Sequence, residues 1–366
     1  MKFINKYLRN LSPYKVASHK VWEVNAEARK EILKLDWNEA SVPPSPKVKQ
    51  ALIELVNDEE IFYLYPSTYN LEIMELLSDY CQLPKENIQY FASSDSLHEY
   101  LIRTYVSPGD PILILGPTYD NFRLTCESQG GMVYFYEYNE DFTLNEEGLI
   151  QMIDEVTPSM IYLCNPNNPS GNLLSVSFIK QILDKYKDTV VLVDEAYYEF
   201  SKVTMAHYVL NYDNLFVSRT FSKAFALANF RAGYLLSNEN NIQQVSKLRN
   251  AKNFTSFAQV AVLAALSDTQ YMKKYVEEVL LARDYFKSEL RQLAFVKTVF
   301  ESHGNFLLIE FESFEVKMKV FNRLSANNIF VRNLTHSKHL LNCLRITIGT
   351  KEQMVKVVNV LNLELI

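Results

Sequence analysis

The sequence predicts an α/β fold: a large domain built on a mostly parallel central sheet, followed by a small α+β C-terminal domain. Three observations carry this. Six short apolar runs punctuate the middle of the chain: Pro111–Leu115, Met132–Tyr136, Met160–Cys164, Val190–Val193, Leu215–Ser218 and Gly233–Leu236. They are apolar on both faces, as strands of a covered parallel sheet must be. Amphipathic stretches such as Thr118–Gln129 and Val176–Lys187 lie between them, the alternation expected of right-handed strand–helix–strand crossovers. The pattern then changes. Tyr271–Leu293 reads as one long helix, followed by alternating Asn305–Phe311, a helix over Glu315–Ala326, strand-like Ile329–Val331 and Leu344–Ile348, and a closing helix over Lys351–Leu363. The expected division is an N-terminal arm over 1–37, packed on the small domain or on a partner subunit, a large domain over 38–265 and a small domain over 266–366.

Composition narrows the function. With 366 residues, 48% hydrophobic and 22% charged, the chain can bury a large core without disulfides or metal staples. A net charge of −6 provides no global field for nucleic acid or an anionic membrane. The four cysteines form no C-x-x-C pair and read as reduced thiols of a cytoplasmic protein. His336 and His339 lie three apart with no Cys or carboxylate beside them, so they read as loop histidines and no metal is expected. The N-terminal residues contain no apolar leader segment, and Phe257–Leu266 is too short to span a bilayer. Glycine is scarce, at nine residues. No G-x-G-x-x-G, no phosphate-binding G-x-x-x-x-G-K-[ST] and no G-x-S-x-G nucleophile turn is present.

In such a sheet, ligands collect at the C-terminal ends of the strands. Those ends carry unusual polar groups. Asp194-Glu195-Ala196-Tyr197 follows one run; a carboxylate at the tip of a buried strand needs a partner, and a cation is the expected one. Asn165-Pro166-Asn167-Asn168-Pro169-Ser170-Gly171 follows another, its backbone restricted by two prolines and a glycine and its Asn168 amide available to a ligand. Arg219-Thr220-Phe221-Ser222-Lys223 places hydroxyls and a lysine at a third, with Arg231 eight residues on. Tyr119 offers an aromatic face. Ser93-Ser94-Asp95-Ser96 opens a helix, whose free N–H groups form a ready anion site. Singly, each has an ordinary explanation: a helix cap, a surface lysine, a core tyrosine. Together they ask for one ligand with an aldehyde for Lys223, a ring nitrogen for Asp194, a flat face for Tyr119 and a phosphate for the helix start. That ligand is pyridoxal 5′-phosphate.

At these residues the chain resembles the class I/II, fold-type I pyridoxal-phosphate-dependent aminotransferases. It is most similar to their histidinol-phosphate aminotransferase branch, which also includes decarboxylases of phosphorylated amino acids. The motifs are Asn168-Pro169-Ser170-Gly171, Asp194-Glu195-Ala196-Tyr197, Arg219 to Leu227 with Arg231, and Leu344-Arg345-Ile346-Thr347-Ile348-Gly349. The resemblance implies that Lys223 holds the cofactor as a Schiff base and then moves the Cα proton. It implies that Asp194 pairs with the pyridine nitrogen, that Tyr197 and Asn168 bond the ring oxygen, and that Tyr119 stacks on the ring. Ser94, Asp95, Thr220, Ser222 and Arg231 would cup the phosphate, with Tyr65 reaching it from the other subunit of a homodimer. Arg345, Arg332 and Asn38 would bind substrate. Two departures stand out. The family's entry loop continues with Pro-Tyr-Gly, whereas here it reads Ala40-Ser41-Val42-Pro43-Pro44, and Ser93 stands where the family usually has glycine. The expected activity is amino transfer from a donor such as glutamate to a small, phosphorylated oxo substrate. Decarboxylation of a phosphorylated amino acid is the alternative, and a silent cofactor-binding scaffold disagrees with the intact Lys223, Asp194 and Tyr197.

Overall fold

The structure is a computed structural model and describes residues 3–9, 11–13, 20–335 and 337–363. Its strands are β1 (Leu33–Leu35), β2 (Ile88–Phe91), β3 (Pro111–Gly116), β4 (Met132–Glu137), β5 (Met160–Cys164), β6 (Val190–Asp194), β7 (Leu215–Thr220), β8 (Gly233–Leu236), β9 (Val296–Val299), β10 (Phe306–Phe311), β11 (Ile329–Asn333) and β12 (Cys343–Thr347). Seven form one sheet in the order β2-β8-β7-β6-β5-β3-β4. The five strands β7, β6, β5, β3 and β4 pair in parallel, while β8 runs antiparallel to both its neighbours.

Strand alternation separates two apolar layers. Ile161, Leu163, Val191, Val193 and Val217 point into one, whereas Met160, Tyr162, Leu192 and Phe216 point into the other. Each layer is closed by helices. Phe178, Ile179, Ile182 and Leu183 of the helix Val176–Lys185 cover the first. Leu97, Leu101 and Ile102 of the helix Ser94–Tyr105 cover the second. The expectation of strands buried on both faces holds for β5 to β7 and fails for β4. It lies at the sheet edge, with Met132 48% and Phe135 43% exposed, because an edge strand has a neighbour on one side alone. The short strands β2 and β9 carry too little pattern for the sequence to have marked them.

A second sheet, in the order β1-β11-β12-β10-β9, holds the chain's C-terminal strands together with β1. β1 pairs in parallel with β11, Leu33 opposite Ile329, and the other pairs are antiparallel. Helices Thr269–Leu290, Phe314–Ala326 and Lys351–Leu361 pack around it. The last starts on a reciprocal cap between Thr350 and Gln353. Further upstream, the Tyr7 ring packs on Gly130, just before β4.

β8 meets the start of the helix Ser94–Tyr105 very closely. A Cβ on Gly233 would stand 2.6 Å from the Ser94 amide nitrogen and 2.9 Å from the Arg219 carbonyl oxygen. Both are backbone atoms that cannot rotate away. Gly233→Ala is therefore expected to lower stability by about 1–3 kcal/mol, read from urea denaturation. An unchanged midpoint would mean that the helix start and β8 can separate freely.

Candidate active site

The parallel register sets Cys164, Asp194 and Ser218 side by side at the C-terminal ends of β5, β6 and β7. Asp194 is 4% exposed. Tyr162 donates its hydroxyl to Asp194 Oδ2 at 2.8 Å, and Ser218 donates to Oδ1 at 3.2 Å. The sequence predicts a cation at this carboxylate; among the described residues, two hydroxyls hold it. Such donors satisfy a buried carboxylate without adding a charge of their own.

Lys223 follows β7 and is half-buried. Its Nζ donates to the Trp37 carbonyl oxygen at 2.9 Å and lies 6.0 Å from the centre of the Tyr197 ring. Burial, with the nearby Arg345 cation next in weight, brings its pKa down to about 8 against the opposing charges of Glu39 and Asp95. Tyr197 is buried and its phenol is held neutral by desolvation. Its hydroxyl accepts from Asn38 Nδ2 at 2.9 Å. Asn38 accepts in turn from the Thr347 hydroxyl at 3.0 Å and is 1% exposed. Asn38, expected at the substrate, holds Tyr197 in place from this position. Asn38 has φ +57, a left-handed conformation that asparagine tolerates better than most residues.

Arg345 on β12 donates from Nη1 to Asn168 Oδ1 and from Nη2 to the Asp36 carbonyl oxygen, both at 2.6 Å. Arg332 on β11 is its register partner. Directly opposed residues of adjacent strands share a face, so two cationic side chains rise from one side of the small sheet.

At the other end lies the helix start. Ser93 accepts from the Ser96 amide at 3.1 Å with φ +95, a conformation natural to glycine and strained for serine. The loop thus keeps the glycine shape without the glycine. The Asp95 carboxylate is occupied by this chain's own side chains. Tyr119 Oη donates to it at 3.0 Å, Asn121 Nδ2 at 3.3 Å and Arg231 Nη2 at 2.9 Å. Asp95 thereby gathers Tyr119 and Arg231 at the helix start. Thr220 Oγ1 accepts from the Ser222 amide at 3.1 Å and lies 2.9 Å from Ser222 Oγ, so both hydroxyls sit on one turn before Lys223. Tyr65 stands apart from this cluster. It is 77% exposed, and Lys252 Nζ lies 4.2 Å from the centre of its ring. His339 lies 3.2 Å from Glu137 Oε2, and His336 is outside the described residues.

Several residues of the site carried no signal singly. Trp37 acts through a carbonyl, which every residue has. Tyr162 and Ser218 look like ordinary strand residues. His98, whose Nε2 lies 2.9 Å from Ser218 Oγ, could have been marked by its position four residues after Ser94 on one helix face.

An amine of lowered pKa, a buried carboxylate held by two hydroxyl donors and a helix start flanked by hydroxyls and Arg231 form a donor set. It fits an aldehyde, a protonated ring nitrogen and a phosphate respectively. The site and sheet define a pyridoxal-phosphate enzyme of the fold-type I architecture. Residues 30–361 match the family model for aminotransferase class I and II. A dihydroxyacetone phosphate transaminase of Campylobacter jejuni is 39% identical over 355 residues, 96% of this chain and 94% of that one. A histidinol-phosphate aminotransferase of Ruminiclostridium cellulolyticum is 32% identical over 354 residues, covering 96% and 95%. Among solved structures, histidinol-phosphate aminotransferase of Sinorhizobium meliloti in complex with pyridoxal-5′-phosphate shares the fold. Its TM-score is 0.88 at 23% identity, over 99% of this chain and 97% of that one. The chain belongs to the class I and II aminotransferase family, and its cofactor is pyridoxal 5′-phosphate.

Lys223 generates a pH prediction. Its folded pKa of about 8 lies below the ordinary 10.5. Between those values the unfolded chain holds a proton here that the folded chain lacks, so the contribution of this group to stability rises with pH across that window. Reductive methylation of the cofactor-free protein, followed residue by residue in mass spectra, should label Lys223 with a midpoint near pH 8, well before surface lysines. A midpoint in the ordinary lysine range would show that its charge is not disfavoured.

Proposed function

We propose that this aminotransferase moves an amino group between a donor such as glutamate and a small phosphorylated oxo compound of the dihydroxyacetone phosphate kind. The observation that carries the substrate reading is the register of Arg332 opposite Arg345. Like charges directly opposed across a sheet destabilise it, and a dianion between them reverses the sign. Guanidinium forks also match phosphate and carboxylate oxygens two at a time. The entry loop 40–44 has no tyrosine to add to a phosphate site, which favours a substrate other than histidinol phosphate. The 39% identical dihydroxyacetone phosphate transaminase of Campylobacter jejuni supports the same reading.

Bound pyridoxal phosphate supplies an aldehyde carbon and an electron-withdrawing pyridinium ring. The chain's residues do the rest. Lys223 takes the proton from the substrate Cα and redelivers it, work suited to an amine that is part neutral near pH 8. Asp194 keeps the ring nitrogen protonated. Tyr197 and Asn168 face the ring oxygen, and Tyr119 gives the ring a flat support. The Ser94 and Asp95 amides, the Thr220 and Ser222 hydroxyls and Arg231 hold the phosphate. Arg345 orients the substrate anion from a position set by Asn168 and Asp36.

The active unit in this reading is a homodimer. Phe62, Tyr63, Leu64, Tyr65 and Tyr69 are all more than half exposed, an aromatic surface suited to a second copy, and Tyr65 would complete the phosphate site of that copy. The arm over 1–37, the large domain over 38–265 and the small domain over 266–366 are the working units. Four buried free thiols fit a reducing, cytoplasmic compartment.

Purified enzyme given glutamate and dihydroxyacetone phosphate should form 2-oxoglutarate and an amino phosphate. Lys223→Ala should abolish this. Arg332→Ala and Arg345→Ala should each lower kcat/KM by about tenfold or more, the loss of charge-assisted hydrogen bonds. Release of CO₂ from phosphothreonine or phosphoserine, with no 2-oxoglutarate formed from glutamate, would replace this reading with the decarboxylase.

A further inference from the structure

His98 does not belong to any part of the cofactor cup described so far, yet it is 3% exposed and points at the group that holds Asp194. Ser218 is fully buried and stands between the two, 2.9 Å from His98 Nε2 and 3.2 Å from Asp194 Oδ1. A serine hydroxyl has one proton and two lone pairs, whereas an ionised carboxylate only accepts. The Ser218 proton must therefore go to Asp194, and Ser218 Oγ must accept from His98. That places a proton on Nε2.

The ring packs against a stacked aromatic pair. It meets Phe122 edge-on at 5.6 Å and 82°, and Tyr162 at 5.9 Å and 79°. Tyr162 is the other donor to Asp194. One imidazole thus orients the first hydroxyl on the carboxylate and packs against the second. His98 also lies one turn after Ser94 on the same helix, whose residues i and i+4 share a face. The first turn of this helix addresses the phosphate and the next turn addresses the carboxylate.

We propose that His98 is a positioning residue. By donating from Nε2 to Ser218 it directs the Ser218 hydroxyl at Asp194, holding that carboxylate aimed at the cofactor's ring nitrogen. The proposal rests on the reading of Asp194 as the partner of that nitrogen. Without the imidazole donor, the Ser218 hydroxyl is free to turn away and the carboxylate loses one of its two supports.

The test uses cofactor affinity and tautomer, not turnover. Pyridoxal phosphate is titrated into the full-length, cofactor-free protein and its Kd read from absorbance and fluorescence. His98→Leu should weaken binding by about three- to tenfold, the scale of one lost hydrogen bond. His98→Gln, which keeps a donor, should restore the Kd to within about twofold. In a Ser218→Ala background, His98→Leu should change the Kd by less than about twofold, because the path between them is already cut. Nitrogen-15 spectra of the unaltered cofactor-free protein should show His98 protonated on Nε2. A full His98→Leu effect that persists in Ser218→Ala would make the residue a packing element and overturn the proposal. So would an Nδ1-protonated ring, which also decides the matter if His98→Leu does not fold. Asp194→Asn separates the two readings. If it leaves the Kd unchanged, the role of Asp194 fails; if it weakens binding while His98→Leu does not, the role of His98 fails alone.

Discussion

Three consecutive residues, Asp36, Trp37 and Asn38, tie the two sheets to one site. They leave β1 of the small sheet and cross to the strand ends of the large one. The Asp36 carbonyl takes Arg345, the Trp37 carbonyl takes Lys223, and the Asn38 side chain takes Tyr197. Each contact satisfies a polar group that would be costly to bury alone. Two are made by carbonyl oxygens, which accept from cations without adding a charge. Lys223 therefore has a fixed direction and a lowered pKa together, where a carboxylate partner would have raised it.

The strand ends sort charge by the alternation of the pleat. Asp194 and Ser218 are register partners, and their side chains meet on one face. Glu195 and Arg219, one residue on, meet on the opposite face. There Arg219 Nε donates to Glu195 at 2.9 Å, over the Tyr198 ring at 3.6 Å. Successive side chains of a strand point to opposite sides. Two adjacent carboxylates therefore take opposite roles. Glu195 is neutralised by a buried arginine, whose removal would leave an unpaired buried charge worth about 3–5 kcal/mol. Among the described residues, Asp194 receives the hydroxyls of Tyr162 and Ser218.

The helix start shows how a local rule can be broken while its shape is kept. A glycine conformation is carried by Ser93 at φ +95, held by its own cap to Ser96. Gly233 on β8 is where the close approach is made, against the Ser94 amide. Glycine is thus kept at the position where a Cβ would strike backbone and dispensed with where only a torsion angle was at stake. The strain at Ser93 is local and small beside an atomic overlap that no rotation relieves.

The sequence by itself determined the strand–helix alternation, the site at the strand ends and the chemistry of its members. These depend on near neighbours and on residue type: apolar runs, Asp194 at a strand tip, Lys223 beyond Thr220 and Ser222, and Ser94 and Asp95 opening a helix. Tertiary structure decided which groups they meet. The exposure of β4 follows from its place at the edge of a seven-stranded sheet, which a local pattern does not state. The Trp37 carbonyl beneath Lys223 is an atom common to all residues. Arg332 opposite Arg345 is a register across two strands, and His98 behind Ser218 joins residues 120 positions apart. Contacts of this kind are made by packing between distant segments, and the identity of a residue does not reveal the neighbour that packing brings to it.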